Sequence, residues 1–198
     1  MSRRGKKARP GVAMLAGAAL LLALVLAYAG ALNWGRSPAP TIGGAFTLQS
    51  SDGRTVTDRD FRGKYLLIYF GYTTCKDVCP ITLAALGDAM TRLGRTADQV
   101  QPVFITVDPA HDTPAVMRAY VRQFSPRLEG LTGTAAQIDA VTANYHVMRI
   151  RHGTTIDHSS VIYVIGPEGN YLSPIPADAP PSAMAVLVAQ AVMHAEAP

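Results

Sequence analysis

Two uninterrupted apolar runs of strand length, residues 65–70 (YLLIYF) and 103–107 (VFITV), constrain this chain most. Runs with no polar alternation fit a sheet that is covered on both faces. Between them, residues 81–93 read as a helix, with Pro80 in its first turn and Gly94 as its stop. Strand, helix and strand in that order predict an α/β domain with parallel pairing at its centre.

Other elements extend this unit. Residues 46–48 and 55–57 flank Ser50-Ser51-Asp52-Gly53, a hairpin signal through Asp-Gly. Helices are predicted from Thr113-Pro114 to about residue 124, from Thr134 to about residue 145, and over residues 181–195. Strands are predicted at 147–150 and 160–165, and briefly at 171–172 after the turn Pro167-Glu168-Gly169-Asn170. The expected result is an α/β domain over residues 42–198 with a central mixed, mostly parallel sheet, long enough to bury its own core.

A second uncharged stretch lies ahead of that domain. Residues 11–32 carry no charge over 22 positions, which as a helix would span ~33 Å, enough for a hydrocarbon core. Arg3, Arg4, Lys6, Lys7 and Arg9 precede it, and Trp34 follows at the place of an interfacial anchor. A cytoplasmic basic tail (1–10), a transmembrane anchor (11–32), a Pro/Ser linker (33–41) and an exported C-terminal domain are therefore predicted. A cleaved signal peptide, with Ala27-Tyr28-Ala29 as its site, competes with the anchor and exports the domain equally. The net charge of +4 belongs to the tail: from Thr41 onward there are 12 Lys and Arg against 14 Asp and Glu. Nothing in that balance points to nucleic acid.

The chain has two cysteines, Cys75 and Cys79, in the segment joining the first apolar strand to its helix. A disulfide across so short a loop adds little stability, so a site is the stronger reading and a structural bridge the weaker. The C-terminal edge of a parallel sheet is where α/β proteins bind ligands. A helix N-terminus also favours thiolate, and Lys76 would add to that effect. At this spacing the pair suits either a disulfide or a soft metal.

FGYTTCKDVCP, then VFITVDPAHDTP, then DHSS, in this order and behind an anchor, resembles the Sco/SenC family over residues 42–172. The resemblance implies a thioredoxin-like fold and a copper site made by Cys75, Cys79 and His158. It also implies delivery of copper to the CuA centre of a cytochrome c oxidase subunit by ligand exchange; another copper chaperone is a candidate further partner. Two thiolates and an imidazole form a soft set that suits Cu(I) and can hold Cu(II). Thioredoxin-like oxidoreductases have a cis-proline in the loop before the strand at 160–165; this chain has none there, which favours metal over substrate disulfide.

Departures from the family pattern are Lys76, where proline is usual, and His111, where arginine is usual. Asp77 is read as an orienting or docking group, or as an ordinary helix N-terminal carboxylate. Asp108 and Asp112 are read as loop-shaping residues that position the site. Asp157 is expected to orient the His158 imidazole. His146, His152 and His194 are expected to be ordinary surface or partly buried residues, and Met117 and Met148 core residues of a helix and a strand.

Two functions follow. The first is a copper chaperone, a carrier rather than an enzyme, on the periplasmic side of a bacterial inner membrane. The alternative is a thiol–disulfide reductase that keeps the client's cysteines reduced, using Cys75 and Cys79 as its redox pair. A copper or redox sensor would use the same three residues.

Overall fold

The computed structural model describes residues 20–28 and 42–195. The chain divides into two units, Met1–Pro40 and Thr41–Pro198. In the first unit, residues 20–28 are helical and exposed. The rest of the predicted anchor, the basic tail, Trp34 and the linker lie outside the described residues. Among the described residues no helix is long and apolar enough to cross a membrane.

The second unit is built on a sheet ordered β2-β1-β5-β4-β3-β8-β9. Its strands are β1 (Thr47–Ser50), β2 (Thr55–Thr57), β3 (Tyr65–Gly71), β4 (Val100–Thr106), β5 (Glu129–Thr132), β8 (Val161–Ile165) and β9 (Tyr171–Pro176). A separate hairpin pairs β6 (Arg149–His152) with β7 (Thr155–His158). The helices are α1 (Val78–Arg92), α2 (Pro114–Val121), α3 (Ala135–Asn144) and α4 (Pro181–Ala195).

Every residue of β3 is buried, as its unbroken apolar run requires. Its odd positions, Tyr65, Leu67 and Tyr69, join Leu83 and Leu86 of α1, Met117 of α2 and Met184 and Val188 of α4 in one core. Its even positions, Leu66, Ile68 and Phe70, join Ile138 and Val141 of α3 in the other. The period of two along a strand thus sorts one sequence run into two layers. Tyr69 and Cys79 consequently belong to the same layer.

The sheet is mixed but not mostly parallel. Of its six pairings only β3–β4 and β4–β5 are parallel. The reason is local: β1–β2 is a hairpin through Gly53 (φ 84°), and β8–β9 a second one, so each end contributes antiparallel pairs. Strand β5 was not predicted. It has four residues, and Gly130 within it lets α2 approach so closely that a Cβ would stand 3.0 Å from Val121.

Helix boundaries also move. Helix α1 starts at Val78, three residues before the predicted 81, and places Cys79 in its first turn. Helix α2 stops at Val121, short of the predicted 124. The expected strand at 147–150 is shifted to 149–152 and pairs with β7, so His158 ends a strand and does not merely precede one. Gly153 (φ 60°) occupies the first position of the two-residue turn between them, as a type II′ turn demands.

Candidate metal centre

The loop 72–77 carries the chain from β3 to α1 and holds Cys75; Cys79 follows inside the helix. Gly71 makes this possible: a Cβ there would lie 2.7 Å from the Phe104 ring and 2.9 Å from Cys79 Sγ. Asp112, fully buried, accepts from Thr73 N (3.1 Å), Thr73 Oγ1 (2.5 Å) and Thr106 Oγ1 (2.5 Å). One carboxylate therefore ties the cysteine loop to the end of β4, as a loop-shaping residue should.

Asp108 does the same for the hairpin. Arg151 Nη2 donates to its Oδ1 at 2.6 Å, and His111 Nδ1 lies 2.8 Å from its Oδ2. Arg149 donates to the Val107 carbonyl at 3.1 Å. The β6–β7 hairpin is fastened to the loop after β4, and with it His158.

Nε2 of His158 stands 3.6 Å from Cys79 Sγ. A metal bonded to both, at about 2.0 Å from nitrogen and about 2.3 Å from sulfur, would hold them roughly 3.5–3.7 Å apart at tetrahedral to trigonal angles. The other ring nitrogen, Nδ1, lies 3.1 Å from the Ser159 carbonyl. A carbonyl only accepts, so Nδ1 carries the hydrogen and Nε2 presents its lone pair to the sulfur. Asp157 does not play the orienting part expected of it: it is exposed and faces His152 at 3.4 Å. Adjacent residues on a strand point to opposite faces, which is why it turns away.

Tyr69 and Tyr72 flank the imidazole, each with its ring centroid 6.0 Å away and nearly edge-on. Neither was singled out from the sequence. Strand parity was the available signal for Tyr69, since it places that residue on the α1 side.

The two free thiols differ. Cys79 is fully buried, and burial pushes its thiol up to about 12 despite a backbone hydrogen bond from Tyr72. Cys75 is half-buried, and burial alone would raise it. The N–H groups of Cys79, Asp77 and Val78, together with the Cys79 thiol, outweigh that and hold it below the ordinary thiol range. These donors are the helix N-terminus at work. Lys76 is exposed and is not among them. Burial also lowers the His158 imidazole, against the Ser159 carbonyl and the Asp157 charge, so the ring is neutral near pH 7. Cys75 opens on a cleft of about 660 Å³ shared with Asp77, His111 and Arg151. Among the described residues, no three His, Cys, Asp or Glu side chains already converge as a metal cluster.

The remaining sequence candidates stand elsewhere. Asp77 occupies the N-cap position of α1 without a capping side-chain bond. His146, His152 and His194 are exposed, and Met117 is fully buried. Met148, expected in the core, is 58% exposed because it precedes the shifted strand β6.

A mixed sheet of this order, with a Cys-x-x-x-Cys pair at the strand-to-helix junction and a histidine brought beside it, defines a thioredoxin-like α/β domain with a dithiol–imidazole site. The SCO1/SenC family profile matches residues 35–193, and the chain belongs to that family. It is 42% identical over 154 residues to Protein SenC of Rhodobacter capsulatus, covering 75% of this chain and 70% of that protein. It is 38% identical over 141 residues to the human Protein SCO1 homolog, mitochondrial, covering 67% of this chain and 47% of that one. The chain thus spans about half the length of the mitochondrial relatives it matches. The crystal structure of Arabidopsis thaliana ScoI with copper bound superposes with a TM-score of 0.74 at 35% identity, covering 77% of this chain and 99% of that one.

Proposed function

We propose that this protein is a membrane-tethered copper carrier that holds its cargo on Cys75, Cys79 and His158. Its client is the copper-containing subunit of a respiratory cytochrome c oxidase, which receives the metal at its CuA centre. The observation that carries the reading is the 3.6 Å separation of His158 Nε2 and Cys79 Sγ, the length of one edge of a metal-ligand triangle. Cys75, on the loop before α1, supplies the third corner. The donor set fits copper: two sulfurs and a neutral imidazole are soft ligands, and three of them leave a position for an incoming thiolate. Release is then a stepwise exchange. The half-buried Cys75 yields first to a client sulfur, and the buried Cys79 and His158 follow. The copper bound to Arabidopsis ScoI, a relative of the same fold, supports the same cargo here.

Tethering follows the charge pattern. A tail over 1–10, an anchor over 11–32 and a linker over 33–41 would place the domain 42–198 in the periplasm of a bacterial cell, with copper received from a second chaperone. Resistance of the membrane-bound protein to alkaline extraction, together with protease access to the domain only from the periplasmic side, tests this.

The full chain in detergent should bind one Cu(I), and Cys75→Ser, Cys79→Ser and His158→Ala should each weaken that binding in chelator competition. A His158→Ala protein that binds as tightly as wild type overturns the ligand set.

The unequal thiols favour one further reading, disulfide reduction. The Cys75 thiolate would attack a client disulfide and release one client thiol. Cys79 would then displace the second, leaving a Cys75–Cys79 disulfide and a reduced client. His158→Ala separates the two roles, since it removes a copper ligand and leaves both sulfurs.

A further inference from the structure

Tyr69 Oη lies 3.9 Å from Cys79 Sγ, on a side chain with no solvent exposure. A buried phenol usually places its hydrogen on a nearby acceptor. The other hydroxyl beside it, that of Thr82, gives its own hydrogen to the Ala177 carbonyl at 3.2 Å. Thr82 thus has no hydrogen left for Tyr69, whose hydroxyl is oriented to donate to the Cys79 sulfur, with the Thr82 oxygen as the alternative acceptor. The sulfur competes best when it carries negative charge, because hydrogen bonds to ionised acceptors are roughly twice as strong as neutral ones. Its ring is locked for that purpose: stacked on Phe104 at 6.1 Å and edge-on to His158 at 6.0 Å, it packs beside both the sulfur and the imidazole.

Resting on the copper-carrier reading, we propose that Tyr69 is a positioning residue of the metal centre, whose hydroxyl donates to the metal-bound Cys79 sulfur and biases the site toward Cu(I). A donor to a thiolate draws electron density from the sulfur. That weakens its donation to Cu(II) more than to Cu(I), as hydrogen bonding around a cysteine ligand does in other copper sites. Thr82 is the alternative acceptor, so its removal should push the hydroxyl fully onto the sulfur.

The test uses the full chain in detergent and compares wild type with Tyr69→Phe, Thr82→Val and Tyr120→Phe. Tyr120 is the control: its hydroxyl is also buried in this layer, next to Phe104, but has no hydrogen-bond partner among the described residues. Two quantities are read: the sulfur-to-Cu(II) charge-transfer band, and the ratio of Cu(I) to Cu(II) affinities from separate chelator competitions. Tyr69→Phe should move the band to lower energy and lower the affinity ratio by about tenfold. Thr82→Val should shift both in the opposite sense, and Tyr120→Phe neither. Wild-type protein that binds copper one to one, with a Tyr69→Phe variant matching it in band and ratio, overturns the role of Tyr69 and leaves the carrier intact. Wild-type protein that binds no copper overturns the carrier reading and this inference with it. A Tyr120→Phe shift as large as that of Tyr69→Phe also overturns it, because the effect would then belong to the packing of the layer.

Discussion

Arg151 on β6 and Asp108 after β4 are joined at 2.6 Å, the aspartate side chain almost wholly buried. The contact is remote from the sulfurs in sequence, yet it fastens the hairpin that carries His158. Arg151→Ala should therefore act on metal binding without touching a ligand. We expect Cu(I) affinity to fall about tenfold to a hundredfold, the range seen when outer groups that orient metal ligands are removed. Stability should fall by about 1–3 kcal/mol, since the carboxylate keeps His111 but loses its guanidinium. Chelator competition and urea unfolding of the same variant measure both.

The thiols should titrate apart. With Cys75 held below the ordinary thiol range and Cys79 pushed up to about 12, iodoacetamide at pH 7–8 should alkylate Cys75 alone. Mass spectrometry of the singly labelled protein identifies the residue. Equal labelling of both cysteines in the folded state would contradict the asymmetry.

His158 links acidity to stability. Its folded-state value is lowered by burial, so below the ordinary imidazole value of 6.5 the unfolded chain binds more protons than the folded one. Its contribution is complete above pH 6.5 and is lost as the pH falls from there toward the lowered value. The metal-free protein should lose stability over that window, and His158→Gln should flatten the loss. Urea midpoints measured at intervals from pH 7.5 to 5, a span chosen to bracket about 6.5, check the sign.

Gly71→Ala should strike the core and the centre together. The added methyl would sit against Phe104 and the Cys79 sulfur, and overpacking of this kind costs about 1–3 kcal/mol. Because one of the two displaced groups is a proposed ligand, Cu(I) binding should weaken as well. A thermal melt and a copper titration of one preparation decide whether the two effects come together.

The sequence made the centre of the fold readable, and the reason is burial. β3 and β4 are apolar throughout because both faces are covered, and the cysteines follow β3 directly, so their place at a sheet edge needs only chain order. Thr134 and the Asp-Gly turn were legible because their roles are local. The β6–β7 hairpin was not, because its side chains mostly face solvent and leave no apolar alternation. Strand β5 escaped notice for a different reason: with Gly130 in four residues, pairing on both edges defines it and no side-chain pattern does. The excess of antiparallel pairs follows from the hairpins β1–β2 and β8–β9 at the two ends of the sheet. In the site, motif order brought forward Cys75, Cys79 and His158. The partners that set the imidazole, the Ser159 carbonyl and the two tyrosines, were hidden, because a backbone acceptor has no letter of its own and aromatic residues in a strand look like core.

The histidine follows its sulfur neighbour by 79 residues, and that interval is also a delay. At synthesis rates of about 5–20 residues per second, both thiols leave the ribosome roughly 4–16 seconds before the imidazole that will face them. A nascent chain in that interval offers its surroundings a bare dithiol. An oxidant or a thiol-seeking metal arriving then meets two sulfurs without their nitrogen partner. Coordination by both sulfurs and the imidazole therefore cannot begin until that interval has passed.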